Sequence, residues 1–228
     1  MLRVRQELFM LDQLSGLVKE TADEIYRLSV SDPWVQQVPY LLQLTGMGVL
    51  TAMTALRAIG DIERFPSAKK LVGYAGLGAR VHASGQTHKS GGITKQGRKE
   101  LRAALVEAAW ITIRYDRHWQ QQFERLADRI GRHKAIVAIA RKLLVVIWHV
   151  LSNKEADPDR VAFSLMTWGW KIKPDWCGGL STAQFIRYHL LQLDLGHDLD
   201  YIIRGNTKRR IAPCEEVLKL CPAFEPAG

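Results

Sequence analysis

"LLQLTGMGVLTAMTALRAIGDIERFPSAKKLVGYAGL", residues 41–77, is the stretch on which the fold class turns. Apolar residues flank Gly46-Met47-Gly48, a helix-like apolar run follows over Val49–Ile59, and Gly60 closes it. Glycine suits such a stop because it takes the left-handed backbone conformation without a Cβ penalty. The order helix, G-M-G turn, helix is that of a helix-hairpin-helix element, and it predicts a mainly α protein. Gly46 and Gly48 permit a tight turn, and the free backbone N–H groups at the next helix start can face a phosphate. A plain helix–helix turn uses the same spacing, so the pattern alone leaves both uses open. "FPSAKKLVGYAGL" continues as a short helix entering a loop, with Lys69 and Lys70 on it.

Toward the N-terminus, residues 2–28 read as one helix with a heptad stripe. Val4, Leu11, Val18 and Ile25 fall seven apart, and Leu14 and Leu28 occupy two of the intervening positions. Glu7 and Thr21 interrupt the other two. This predicts a coiled-coil-like arm over 1–32 that pairs with a second copy, or a helix packed on its own domain. "SVSDP" at 29–33 ends it, because Pro33 cannot continue a helix.

Toward the C-terminus comes "HASGQTHKSGGITKQGRKELRAAL", residues 82–105. Two serines stand in a glycine-rich, basic stretch that reads as a loop. Such a composition usually marks a solvated connection. Yet Ser84 precedes Gly85, and Ser90 precedes Gly91-Gly92, so a ligand could approach the backbone beside either hydroxyl. Arg80, Lys89, Lys95, Arg98, Lys99 and Arg102 surround them, and a helix start lies just downstream. N–H groups and guanidinium forks around a hydroxyl make a phosphate cradle. A serine there becomes a phosphoryl-transfer nucleophile only with a base and with stabilised transition-state charge, and His82 and His88 are the nearby candidate bases. Leu101, Ala104, Leu105, Ala108 and Thr112 predict a helix over 95–115, with Thr94 as its N-cap. Helices over 119–130 and about 133–151 follow, so residues 33–151 read as a helical domain. The polar linker "SNKEADPD" at 152–159 separates it from an irregular accessory region, 160–228. That tail holds Trp168, Trp170 and Trp176, a Ser181 that suits a helix cap, and the triplet Lys208-Arg209-Arg210.

Charge points the same way. The 228 residues carry a formal net charge of +9. Between residues 69 and 102 the basic side chains named above oppose Glu100 alone, so the excess is local, as a face for a polyanion requires. Cys177, Cys214 and Cys221 lack paired metal-site spacing, and an odd count argues against a disulfide framework. A zinc site joining them to His189 or His197 stays possible on composition, but reduced thiols are expected and no metal ligand is assigned. The N-terminus does not resemble a signal peptide. The apolar run "AIVAIARKLLVVIWHV" at 135–150 is interrupted by Arg141 and Lys142 and reads as too short for a bilayer. A cytoplasmic protein, nucleoid-associated and without a membrane partner, is expected.

The stretch from "LTGMGVLTAM" through "YAGLGARVHASGQTHKSGGITKQGRKELRAALVEAA" resembles the transposase domain of the IS116/IS110/IS902-type, DEDD-type insertion-sequence transposases. The family's G-[IV]-G turn, I-G-D…R-F segment, Y-A-G-L, S-G and G-G-I-T-K-x-G…L-R elements recur here, with Thr45 where a proline is usual. The resemblance implies DNA strand exchange by a serine nucleophile, which maps onto Ser84 with Ser90 as runner-up. It further implies that Lys95, Arg98 and Arg102 hold the DNA backbone or offset developing charge, and that DNA is the partner, joined by a guide RNA in the RNA-guided branch of the family; the N-terminal heptads, if they pair, add a homo-oligomer. A RuvC-like domain with Mg²⁺-binding carboxylates precedes this region in the family and finds no counterpart here. On that ground a truncated or partial chain is expected, without a cofactor of its own. The alternative is a non-catalytic DNA- or RNA-binding module derived from a transposase.

Overall fold

The computed structural model describes the backbone of residues 2–84, 87–204 and 207–220. Among the described residues, ten α-helices and two two-stranded antiparallel sheets account for the regular structure, so the mainly α expectation holds. In chain order they are α1 (Leu2–Ser29), α2 (Val38–Leu42), α3 (Val49–Ile59), α4 (Ala68–Tyr74), β1 (Ala79–Ser84), β2 (Thr87–Ile93), α5 (Lys99–Tyr115), α6 (Arg117–Ile130) and α7 (Arg132–Asn153). After them come α8 (Pro158–Gly169), a 3₁₀ turn at Pro174–Trp176, α9 (Thr182–Gln192), β3 (Tyr201–Arg204), β4 (Thr207–Arg210) and α10 (Cys214–Leu220).

The core forms around α7. Ala135, Ile136, Ile139, Ala140, Leu143, Leu144, Ile147 and Leu151 recur at three- and four-residue spacing and are buried against α2, α4, α5 and α6. By length and composition this 22-residue helix reaches the dimensions of a membrane span, against the sequence reading, and half of its most apolar window is buried by the rest of the fold. Arg141 and Lys142 sit side by side on its exposed face.

Local signals set the helix ends. Asp116 caps α6, its carboxylate accepting from the backbone N–H of His118 and Trp119, so α6 begins two residues earlier than expected. Ser181 caps α9 in a reciprocal box: its hydroxyl accepts from Gln184 N–H, and the Gln184 side chain accepts from Ser181 N–H. The expected Thr94 cap is replaced. Residues 94–98 run back past α4, with Lys95 N–H donating to Gly76 O at 3.2 Å and Arg98 N–H to Tyr74 O at 3.4 Å, so α5 starts at Lys99 behind Arg98.

The segment after 157 is more regular than its composition suggests. Trp168 is 1% exposed and donates to the Ser29 hydroxyl at 2.9 Å, tying α8 to the end of α1. His189 packs among Trp168, Phe185 and Tyr188, and burial pushes its imidazole down to about 3, so it serves as a neutral core ring. Arg187, 1% exposed, donates to the carbonyls of Ala212, Gly196 and Leu199 and thereby fixes both ends of the β3–β4 segment to α9. Packing across the 152–159 linker is continuous: Val161, Leu165, Trp168, Phe185 and Ile202 belong to the same buried cluster as α7.

Most of α1 stands apart from that cluster. Its C-terminal end packs through Ile25 and Tyr26 and through an ion pair of Asp23 with Lys173 at 2.8 Å, whereas Val4, Leu11 and Val18 remain more than half exposed.

Candidate nucleic-acid interface at the base of the serine hairpin

The stretch read as a Gly/Ser loop is an antiparallel hairpin. Ser84 pairs with Thr87 at its far end, Ala83 with His88, His82 with Lys89 and Val81 with Ser90. The register then shifts, so that Gly91 and Gly92 oppose Arg80 alone as a β-bulge. The Gly91-Gly92 pair, which sequence reading assigned to ligand approach, sits in that bulge. Gly85, Gln86 and the side chains of His82, Ser84, His88, Lys89 and Ser90 lie outside the described residues.

Where the hairpin leaves the helical body, two glycines allow three backbone segments to meet. Gly76 adopts φ +69°, and a Cβ there would stand 2.2 Å from Gln96 O. Gly97 adopts φ +121°, and a Cβ there would stand 2.0 Å from Tyr74 O. No side chain fits at either contact. Lys95 also takes a positive φ, 56°, within the same crossing. Thr94 N–H donates to Gly78 O at 2.9 Å, and Arg102 Nη1 donates to Ala75 O at 3.0 Å, closing the junction from both sides.

A pair of guanidiniums is mounted on this junction. Arg98 Nε donates to the Tyr74 hydroxyl at 2.8 Å, and that hydroxyl lies 3.1 Å from Ala58 O, to which it donates. Arg64 stacks over the Tyr74 ring at 4.8 Å and over Phe65 at 4.6 Å. The hydrogen bond from Arg98 holds the Tyr74 phenol below its ordinary range, and Arg64 adds to the effect. Phe65 is anchored in turn, because Trp148 Nε1 donates to its carbonyl at 2.9 Å. Both guanidiniums are solvent-exposed, and Lys95 and Lys99 are exposed beside them in the chain. Fixed, planar donors of this kind suit phosphate oxygens.

The residues singled out from sequence therefore divide. Arg98, Lys95 and Lys99 gather at the junction. Arg102 is partly buried and spent on Ala75 O, a tie within the fold. Arg80 is exposed at the start of β1, 3.4 Å from Thr94 O. Lys69 and Lys70 are exposed on α4. Gly46, at φ +87°, faces α5: a Cβ would meet Thr112 Oγ1 at 2.4 Å and Ala108 O at 2.5 Å, so its freedom serves packing. Gly48 is exposed at the start of α3 with open space around its Cα. Ser84 stands five residues out along β1, roughly 17 Å from Ala79 at ~3.4 Å per residue. The junction cations and Ser84 cannot share one phosphate. Sequence reasoning passed over Arg64 and Tyr74, although the R-F and Y-A-G-L elements both lay in the quoted pattern. Among the described residues, no group of three or more His, Cys, Asp or Glu side chains is placed to hold a metal ion. Cys177 and Cys214 are free thiols, and Cys221 lies outside the described residues.

Residues 38–124, which contain α2 through α5, the hairpin and the junction, match the family described as Transposase IS116/IS110/IS902 family. The chain is 29% identical over 153 residues to the transposase for insertion sequence element IS1111A of Coxiella burnetii, covering 65% of this chain and 40% of that protein. It is 38% identical over 152 residues to the pilin gene-inverting protein of Moraxella bovis, covering 64% of this chain and 47% of that one. Against the pilin gene-inverting protein of Moraxella lacunata it is 37% identical over 153 residues, or 65% and 44%. The chain thus spans less than half the length of these relatives.

Proposed function

We propose that this chain, whose residues 38–124 form a transposase domain of the IS116/IS110/IS902 family, grips a nucleic-acid backbone at the hairpin base and attacks a DNA phosphodiester with Ser84. The observation that carries this reading is the pair of exposed guanidiniums where the serine-bearing hairpin emerges, Arg64 stacked on the Tyr74 ring and Arg98 bonded to its hydroxyl. They hold phosphates several nucleotides from the serine, since a backbone charge recurs every ~3.4 Å along one strand. In the attack, the Ser84 oxygen forms a bond to phosphorus and the bond to the leaving sugar oxygen breaks. The serine proton passes to a base, for which His82 and His88 are the candidates, and the leaving oxygen takes up a proton. Ser90 is the runner-up nucleophile, and Gly48 at the start of α3 offers helix-end N–H groups of the helix-hairpin-helix type to a further phosphate. A RuvC-like domain, as the family resemblance implies, would supply the metal-binding carboxylates and the Mg²⁺ that the full reaction needs.

The grip is tested by binding of DNA and RNA oligonucleotides across a salt series. The logarithm of affinity is expected to fall linearly with that of salt, and Arg98→Gln with Lys99→Gln is expected to reduce the duplex slope by about two, at ~0.9 per phosphate contact. Binding that is insensitive to salt, or a slope unchanged in the double variant, contradicts the reading.

The exposed stripe of α1, with Val4, Leu11 and Val18 in heptad register, pairs with the same helix of a second copy, which would bring two DNA-bound domains together. Leu11→Glu with Val18→Glu is expected to halve the mass measured by light scattering. A wild-type chain that is already monomeric at tens of micromolar refutes the pairing.

A further inference from the structure

We infer that the β3–β4 ribbon is a second nucleic-acid contact, one that takes an unpaired strand. The inference rests on the nucleic-acid reading above but on different residues, since the ribbon lies beyond the 38–124 match. Residues 201–210 carry four basic and no acidic side chains. The ladder pairs Tyr201 with Arg210 and Ile203 with Lys208, so these four share one face of the ribbon. The opposite face carries Ile202, 5% exposed, which seats the ribbon on the core near α8. The outward face is therefore fixed in register and presents two cations beside two apolar side chains: Tyr201 is 42% exposed and Ile203 69%.

The arrangement favours bases over a bare phosphate. Lys208 Nζ stands 3.9 Å from the Tyr201 ring centroid, and Arg209 lies 4.9 Å over Trp170, itself 52% exposed at the end of α8. Tyr201 lies on the outward face and Arg209, paired with Ile202, on the other, so an exposed ring holding a cation stands on each side of the ribbon. Aromatic rings that stack bases, set among cations that follow the phosphates, bind single strands without needing a sequence. In a duplex the base faces are already stacked, which leaves Tyr201 and Ile203 nothing to cover. Rigidity supports the assignment. Arg187 pins the chain just before and just after the ribbon through Leu199 O and Ala212 O, at 2.7 Å each, so little conformational freedom is lost on binding.

The experiment measures binding of the full chain to a fluorescent oligo-dT and to a duplex of equal length, in parallel with the junction variant Arg98→Gln/Lys99→Gln. Tyr201→Ala is expected to weaken oligo-dT binding about tenfold while leaving the duplex within twofold, with Tyr201→Phe restoring most of the loss. Lys208→Gln with Arg210→Gln changes only exposed side chains, and it is expected to lower the oligo-dT salt slope by about 1.4, at ~0.7 per contact on a single strand. If the wild type binds and the junction variant weakens it, while both ribbon variants match the wild type, the ribbon assignment alone falls. Equal losses on oligo-dT and duplex overturn the single-strand assignment. A wild type that binds neither oligonucleotide removes the nucleic-acid reading and this inference together.

Discussion

Gly97→Ala is expected to lower the melting temperature by roughly 6–12 °C, corresponding to about 3 kcal/mol in a domain of this size. Two effects add. The φ of +121° is one that only glycine adopts without strain, and the new methyl group would lie 2.0 Å from Tyr74 O and 3.0 Å from the carbonyl carbon behind it. Backbone atoms cannot rotate aside as a side chain does, so the crossing of residues 94–98 over the end of α4 must open. The Arg98 N–H to Tyr74 O bond goes with it, and Arg98 loses its placement beside the Tyr74 hydroxyl. Gly60→Ala separates strain from collision, because Gly60 also has a positive φ, +62°, with nothing within 4 Å of its Cβ position. With ψ at −130° the strain is more than that of a left-handed residue, and the variant is expected to cost about 1.5 kcal/mol, or roughly 3–6 °C. A Gly97→Ala chain that melts with the Gly60→Ala chain would mean that the junction is not built as described.

Periodicity carried much of the fold, and its failures have physical causes. The α7 stripe, the Gly60 stop and the Ser181 cap are local signals, and each stands where the residues place it. The hairpin was passed over although ARVHAS alternates apolar and polar residues, because THKSGGI does not and its two glycines weaken strand propensity. Thr94 looked like a cap because nothing local reveals that residues 94–98 bond to Gly76 and Tyr74 instead. The tail was read as irregular because its organising residue is a buried arginine. Arg187 satisfies three distant carbonyls, which no hydropathy pattern records.

The candidate site was legible in charge and not in geometry. Lys95, Arg98 and Lys99 announce a basic face by composition. Tyr74 does not, since its partnership with Arg98 spans 24 residues and is made by the return of the chain past α4. Arg102 and Gly46 show the converse. Both have the residue type that suits a phosphate, and both are engaged inside the fold, with Ala75 O and with α5 respectively.

The largest functional effect is expected at Ser84, and it offers the most direct test of the account. A covalent intermediate requires one named oxygen, so replacing it removes the product entirely, whereas loss of a positioning cation only slows its formation. The measurement is capture of a protein–DNA adduct on a nicked suicide substrate, with Mg²⁺ and a RuvC-like domain from a full-length relative supplied, read as a band that resists denaturation. The wild type is expected to form the adduct, Ser90→Ala to form it at a reduced or equal level, and Ser84→Ala to form none while still binding DNA with an unchanged salt slope. An undiminished band from Ser84→Ala would contradict the account, and its loss from Ser90→Ala alone would move the nucleophile three rungs down the hairpin.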